Sequence, residues 1–88
     1  MKRNSDFMLQ DVAGTQVIVP VGMAVTTFPG MITVNATGAY IWQLLETEQT
    51  TEQLAQALIS RYEVTMEQAT ADTAAFLAQL RPTGALVD

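Results

Sequence analysis

The chain has 88 residues, of which 49% are hydrophobic and 15% are charged, and its formal net charge is −5. A chain of this length and composition forms one small folded domain and is too apolar to be disordered. The acidic balance argues against binding to nucleic acid or anionic membranes, since both depend on clustered Lys and Arg. The sequence has no Cys and no His, which removes disulfides, most metal sites and the commonest general base. We therefore expect no catalytic residue, no metal and no cofactor.

The N-terminal region carries no targeting signal. Asn4, Ser5 and Asp6 stand where a signal peptide needs an apolar run of about 7 to 15 residues. No stretch approaches the roughly 20 apolar residues of a membrane-spanning helix. We expect a cytoplasmic protein with a single domain over residues 1–88, in which residues 1–5 are disordered.

The first quarter of the chain has the pattern of a β-hairpin. Phe7 to Val12 and Gln16 to Val21 are rich in apolar and β-branched residues, and Gly14 between them suits a tight turn. Pro20 cannot donate a ladder hydrogen bond, so we expect it at a strand end or edge.

The middle of the chain changes from strand to helix without a loop. Residues 23–29 fit a short strand or an irregular crossing, and Pro29-Gly30 predicts a turn. Met31 to Val34 then alternate at the period of a strand. From Asn35, a good N-cap, the apolar residues recur at helical spacing, so a helix begins there.

Two further helices are predicted in the C-terminal half. Thr50 or Thr51 caps a helix that runs to about Tyr62 and has one apolar face. Thr65, with Gln68 three residues later, has the pattern of a capping box, so the last helix begins there.

The last helix runs to about Arg81, because Pro82 disfavours helical geometry at the residue before it. After Gly84, an apolar tail is expected to pack on the core. Strands grouped before helices indicate an α+β fold. We predict a small winged-helix-like domain, with a three-stranded antiparallel sheet followed by a three-helix bundle.

A short connection between the second and third long helices is compatible with a winged-helix DNA-binding regulator. The charges oppose this alternative, because the last helix carries Glu67 and Asp72 and has no basic residue before Arg81. A purely structural or dimerising domain is a further alternative.

The strand Met31 to Val34 suggests a binding function of another kind. If it lies at the edge of the sheet, its free main-chain groups are a template for another chain, and it carries no Lys or Pro that blocks such pairing. The last helix has alanines at positions 69, 71, 74, 75 and 78, which leave room for a backbone beside it. The pattern thus predicts a peptide groove between this strand and the last helix.

Several segments together resemble the PqqD-like family, whose peptide-binding domains are also called RiPP recognition elements. The run Val34-Asn35-Ala36-Thr37-Gly38-Ala39-Tyr40-Ile41-Trp42 is similar to the family pattern Leu-Asn-x-Thr-[Gly/Ala]-x-x-[Ile/Val]-Trp, with Val in place of Leu. Thr51 to Leu54, Arg61 to Val64 and Asp72 to Leu80 also agree, and they occur in the order of the family. Thr73 departs from the pattern, since the family usually has Val there.

The resemblance implies a non-catalytic chaperone. Such domains bind the leader of a ribosomally made precursor peptide as an added strand and present it to a modifying enzyme, often a radical SAM protein. Carried over to this sequence, the resemblance places the peptide contacts at Met31, Ile32, Thr33, Val34, Asp72, Ala75, Phe76 and Gln79. No nucleic acid or membrane partner is implied, and a homodimer remains open because an uncovered edge can pair with itself.

Overall fold

The computed structural model describes residues 1–28 and 30–88, so Pro29 of the predicted turn lies outside the described residues. The fold is α+β, as predicted. In chain order its elements are strands β1 (Lys2–Arg3), β2 (Phe7–Val12) and β3 (Thr15–Pro20), the helical turn α1 (Ala24–Thr27), strand β4 (Ile32–Val34), helices α2 (Ala36–Leu44), α3 (Thr51–Arg61) and α4 (Met66–Leu80), a 3-10 turn (Arg81–Thr83), and strand β5 (Leu86–Val87).

The main sheet is three-stranded and antiparallel, in the order β2-β3-β4. Its hairpin closes with Val12 opposite Thr15. The two turn residues, Ala13 and Gly14, have φ values of 54° and 83°, as a type I′ turn requires. The sequence predicts Gly14 in this turn. Ala13 also takes a positive φ, because the right-handed twist of the two strands requires it at both turn residues.

The segment before β4 forms neither the short strand nor the irregular crossing that the sequence predicts. Residues Ala24–Thr27 form one helical turn, although their β-branched side chains favour a strand. Ala24 is buried in the core, so packing outweighs local propensity at this point.

The first residues also differ from the expectation of disorder. Lys2 and Arg3 pair with Val87 and Leu86 in a separate two-stranded sheet. The Asn4 N–H donates to the Ala85 carbonyl at 2.8 Å. Ala85 of the C-terminal tail is buried in the core, as predicted, and Leu86 packs against it. The pairing of Leu86 and Val87 with β1 orders the N-terminus.

Side chains predicted as caps begin the three long helices. The Asn35 side chain accepts from the Gly38 N–H at 2.8 Å, and Thr50 forms a complete capping box with Gln53. The box predicted at Thr65 is only half formed. Its Gln68 side chain turns away from the cap and donates to Asp72 at 2.7 Å.

The end of α4 corrects one expectation. Arg81 keeps helical angles, φ −55° and ψ −45°, in spite of the following Pro82. A 3-10 turn accommodates this proline near its start, where the missing N–H would have no partner. Gly84 then takes φ 85° and redirects the chain toward β5.

The core lies between the sheet and the helices. Trp42 is 1% exposed, and the Arg3 guanidinium lies 5.8 Å from the centre of its ring. Ile18 from β3 and Leu80 from α4 are completely buried in the same core. Within residues 1–28 and 30–88, no helix combines the length and the apolar character that crossing a membrane requires.

Candidate functional site

A groove of about 270 Å³ lies between the sheet edge and the last helix. Strand β4 and the start of α2 supply one wall and the floor, and α4 supplies the opposite wall. The lining residues are Thr33, Val34, Asn35, Thr37, Gly38, Ile41, Asp72, Ala75, Phe76 and Gln79.

The main-chain groups of Thr33 point out of the sheet toward this groove. Val12 and Thr15 form the hydrogen-bonded pair that closes the hairpin. The Val21 N–H donates to the Asp6 carbonyl at 2.7 Å, so Asp6 and Val21 form another hydrogen-bonded pair, an even number of residues away from the first. Hydrogen-bonded and non-hydrogen-bonded pairs alternate along an antiparallel ladder, so Gln16 and Ile18 turn toward β4.

The partners of these two residues are Val34 and Ile32, whereas Thr33 lies opposite Val17. Val34 and Ile32 therefore bond to β3, and the N–H and C=O of Thr33 face away from it. Met31 has the same parity as Thr33. Since β4 is the last strand in the order of the sheet, this edge is open to an added strand.

The floor of the groove is shaped by close packing at Gly38. A Cβ added to Gly38 would lie 2.9 Å from Cε1 of Phe76 and 3.4 Å from the Asn35 side-chain oxygen. Only a residue without a side chain lets the Phe76 ring approach the first turn of α2 this closely. The ring is therefore held in one position, where it is both part of the core and part of the groove.

The wall on α4 follows the helical repeat. Asp72, Ala75, Phe76 and Gln79 stand at i, i+3, i+4 and i+7, which places them on one face. Of the five alanines, only Ala75 lines the groove. Ala69 is buried in the core, and Ala71, Ala74 and Ala78 are exposed elsewhere on the helix, so the alanine content as a whole does not define the site.

The structure brings together six of the eight residues predicted as peptide contacts. Thr33, Val34 and the four residues of α4 line the same groove. Met31 lies just before the strand and is 59% exposed, and Ile32 is 5% exposed, with its side chain in the core. The alternation of β4 explains the burial of Ile32, because one face of the strand must cover the core.

Sequence reasoning missed four lining residues, which are the N-cap of α2 and three residues of its first two turns: Asn35, Thr37, Gly38 and Ile41. Asn35 and Gly38 have a local signal, since a cap followed by a helical glycine leaves the first turn of a helix without bulk. The contact with Phe76 has no local signal, because it joins residues far apart in the sequence.

Among the residues that the structure describes, Asp72 is the only ionisable side chain that lines the groove. It is partly buried, and its Oδ1 accepts from the Gln68 amide at 2.7 Å. In the described part of the chain no group of three or more acidic side chains is placed to hold a metal ion. The groove is therefore suited to recognition by main-chain bonds, apolar contact and one negative charge.

A second, larger cavity of about 700 Å³ lies at the opposite edge of the sheet, beside β2. Its lining includes Lys2, Arg3, Met8, Trp42 and Glu46. Long, flexible side chains form much of this cavity, and none of the predicted contacts lies in it.

Comparison with solved structures shows the same fold in two other proteins. The structure described as "TbiB1 in Complex with the TbiA(beta) Leader Peptide" matches with a TM-score of 0.73 and 21% identity, covering 100% of both chains. "Lasso peptide synthetase B1 complexed with the leader peptide" matches with a TM-score of 0.73 and 24% identity, covering 99% of this chain and 96% of the other.

The sequence comparisons give the family. A search of the curated proteins finds no significant match. The family model described as "Coenzyme PQQ synthesis protein D (PqqD)" matches residues 15–86, which confirms the resemblance drawn from the strand-to-helix run. Since this match covers most of the chain, the protein belongs to the PqqD family.

Proposed function

We propose that the protein is a non-catalytic chaperone that binds the leader of a ribosomally synthesised precursor peptide and presents it to a modifying enzyme. The observation that carries this proposal is the outward-facing main chain of Thr33 at an open strand edge, directly across a groove from α4. Both solved structures that share the fold are described as complexes with a leader peptide.

The leader binds as a fourth strand of the main sheet. The Thr33 N–H and C=O pair with its main chain, and the main chain of Met31 extends the ladder by one step. Such pairing gives affinity for any extended peptide, while pockets for alternate side chains select the sequence. A groove of about 270 Å³ is large enough for one or two side chains of the leader, so most of the peptide stays on the surface.

Three residues select the side chains that enter the groove. Phe76, held in place over Gly38, provides an apolar surface for an anchoring residue, and Ala75 leaves space beside it. Gln79 has an amide that donates and accepts hydrogen bonds. Ile32 contributes indirectly, because its buried side chain fixes β4 on the core.

The chemistry is supplied by a separate enzyme, which is a radical SAM protein or another peptide-modifying enzyme. Among the described residues, the polar lining of the groove consists of two threonines, two amides and one carboxylate, and it includes no His, Cys or Lys that could act as a base or a nucleophile. The domain acts in the cytoplasm, where ribosomal precursors are made. No observation favours the DNA-binding alternative, since none of the groove residues is basic.

A second copy of the chain can occupy the same strand edge. Self-association through β4 and leader binding would then exclude each other, and addition of the leader should dissociate any dimer of this kind. Sedimentation velocity with and without the leader measures this competition.

The test is a calorimetric titration with the leader of a precursor encoded beside this gene. We expect saturable binding with a Kd below about 100 µM, equivalent to roughly −5.5 kcal/mol. Amide NMR shifts should change most at residues 31–35 and 72–79. A leader that produces no heat and no shift up to that concentration contradicts the proposal, and binding with shifts confined to β2 contradicts the placement of the site.

A further inference from the structure

We infer that the groove selects leaders that carry a Lys or Arg about two residues from an apolar anchoring residue, and that Asp72 is the residue that makes this selection. The inference rests on the proposed function. It adds an electrostatic contact to leader recognition. Strand pairing and apolar packing do not require such a contact.

The charge distribution supports this assignment. Asp72 is the only ionisable residue that lines the groove in the described part of the chain, and the four basic residues all lie elsewhere. Lys2 and Arg3 are in β1, Arg61 lies 4.6 Å from the centre of the Tyr40 ring, and Arg81 pairs with Asp88. Among the described residues, no cation forms an ion pair with Asp72, so its charge is not neutralised from within the protein.

The Asp72 carboxylate is also oriented by a hydrogen bond that uses only part of its acceptor capacity. Gln68 leaves its capping position at the start of α4 and donates to Oδ1 at 2.7 Å. A carboxylate accepts about four hydrogen bonds, so this donor leaves most of its capacity available to a ligand. Because the side chain is partly buried, its field acts in a medium that screens less than bulk water.

The spacing between charge and anchor follows from helix and strand geometry. Asp72 and Phe76 are four residues apart on one face of α4, which corresponds to about 6 Å along the helix axis. An extended peptide advances about 3.3 Å per residue. For a peptide that runs along α4, a cation facing Asp72 is therefore about two residues from the side chain that packs on Phe76, and residues two apart in a strand point to the same side.

The experiment is a selection of random 12-residue peptides, displayed on phage, against the full-length protein and three variants. The wild type should enrich peptides with Lys or Arg two positions from an apolar residue. Asp72→Asn should keep the apolar preference and lose the basic one, and Asp72→Lys should favour Asp or Glu at the same position. Glu67→Gln removes the same charge from an exposed site on α4 outside the groove, and it should keep the wild-type preference.

Individual enriched peptides are then titrated at two salt concentrations. Asp72→Asn should weaken binding by roughly two- to fivefold at low salt, as expected for one partly exposed ion pair, with a smaller effect at high salt. Enrichment of peptides without any basic preference, or the same preference in Asp72→Asn, overturns this inference and leaves leader binding intact. If the wild type enriches no peptide, the proposed function fails, and the inference fails with it.

Discussion

The two open edges of the main sheet differ in what lies beside them. At β4, helix α4 stands opposite a short strand and encloses a narrow groove of about 270 Å³. At β2, the strand is twice as long, and the cavity beside it is larger, about 700 Å³. Free main-chain groups occur at both edges, since the same alternation that exposes Thr33 also exposes Leu9 and Asp11.

The difference shows that an unpaired edge or a large cavity is not sufficient to define a binding site. The wall of the β4 groove is a helix packed on the core, and Gly38 and Phe76 hold its floor in one position. The cavity at β2 is bordered by Lys2 and Met8, whose long side chains are exposed. A rigid groove loses less conformational entropy when a peptide binds, so we place the leader at β4.

The largest expected effect comes from proline at the β4 edge. Thr33→Pro removes an N–H that points into the groove but leaves the bonds between β3 and β4 in place. We expect leader binding to weaken at least tenfold, about 1.4 kcal/mol, because one main-chain bond is lost and the ring obstructs the added strand. Calorimetry measures the affinity, and circular dichroism should show a folded protein.

Two matched prolines separate this edge effect from general damage. Val34→Pro removes an N–H that bonds to Gln16 in β3, so it should unfold the protein or lower its stability strongly. Leu9→Pro removes an outward N–H at the other edge and should leave the leader affinity unchanged. Equal loss of binding in Leu9→Pro and Thr33→Pro would contradict the choice of β4.

The next effect concerns the floor of the groove. Gly38→Ala places a methyl group 2.9 Å from the Phe76 ring, so the ring must move. We expect a loss of about 1–2 kcal/mol in the free energy of unfolding, and weaker leader binding. Gly30→Ala is the control, because its added methyl group meets Phe28 at an ordinary 3.5 Å. A Gly38→Ala protein with normal affinity would show that Phe76 does not contact the leader.

Local patterns were sufficient to predict the β2-β3 hairpin, strand β4 and the three long helices, but they did not select the residues that line the groove. The four residues of α4 came from the resemblance to the PqqD-like family, and the structure places them on one helix face at i, i+3, i+4 and i+7. The contact of Gly38 with Phe76 depends on how α2 and α4 pack, which periodicity does not encode. Which residues of β4 turn their main-chain N–H and C=O groups outward depends on a turn in another part of the chain, at Ala13 and Gly14.

The limited reach of local patterns also explains the wrong predictions for α1 and β1. Ala24–Thr27 has the composition of a strand, but burial of Ala24 selects a helical turn. Lys2 and Arg3 have no apolar pattern of their own, and they are ordered by pairing with residues from the other end of the chain. In both cases tertiary contacts outweigh the local preference.

A smaller effect is expected inside α4, next to the groove. Thr73 is completely buried, and its hydroxyl has no hydrogen-bond partner among the described residues. Thr73→Val removes a buried polar group that costs about 1–3 kcal/mol when it is unpaired. We expect the free energy of unfolding to rise by roughly 1 kcal/mol, and Tm by about 4–8 °C.

This substitution should leave leader affinity unchanged, because Thr73 does not line the groove. Chemical denaturation measures the stability and calorimetry the affinity. A loss of stability in Thr73→Val would mean that the hydroxyl has a partner in solution. A change in affinity would mean that the position of α4 depends on this residue.

The smallest effect on binding is expected at the β2 edge. Met8 is 49% exposed and borders the larger cavity. Met8→Lys places a charge on a strand edge, a change that opposes pairing with a second chain. Leader affinity should stay within about twofold of the wild-type value, because β2 and β4 are separated by the full width of β3. If the wild type self-associates through β2, sedimentation velocity should show that Met8→Lys reduces it. A substantial loss of leader affinity in Met8→Lys would instead place the peptide at the longer edge, and the enclosed groove at β4 would then need another role.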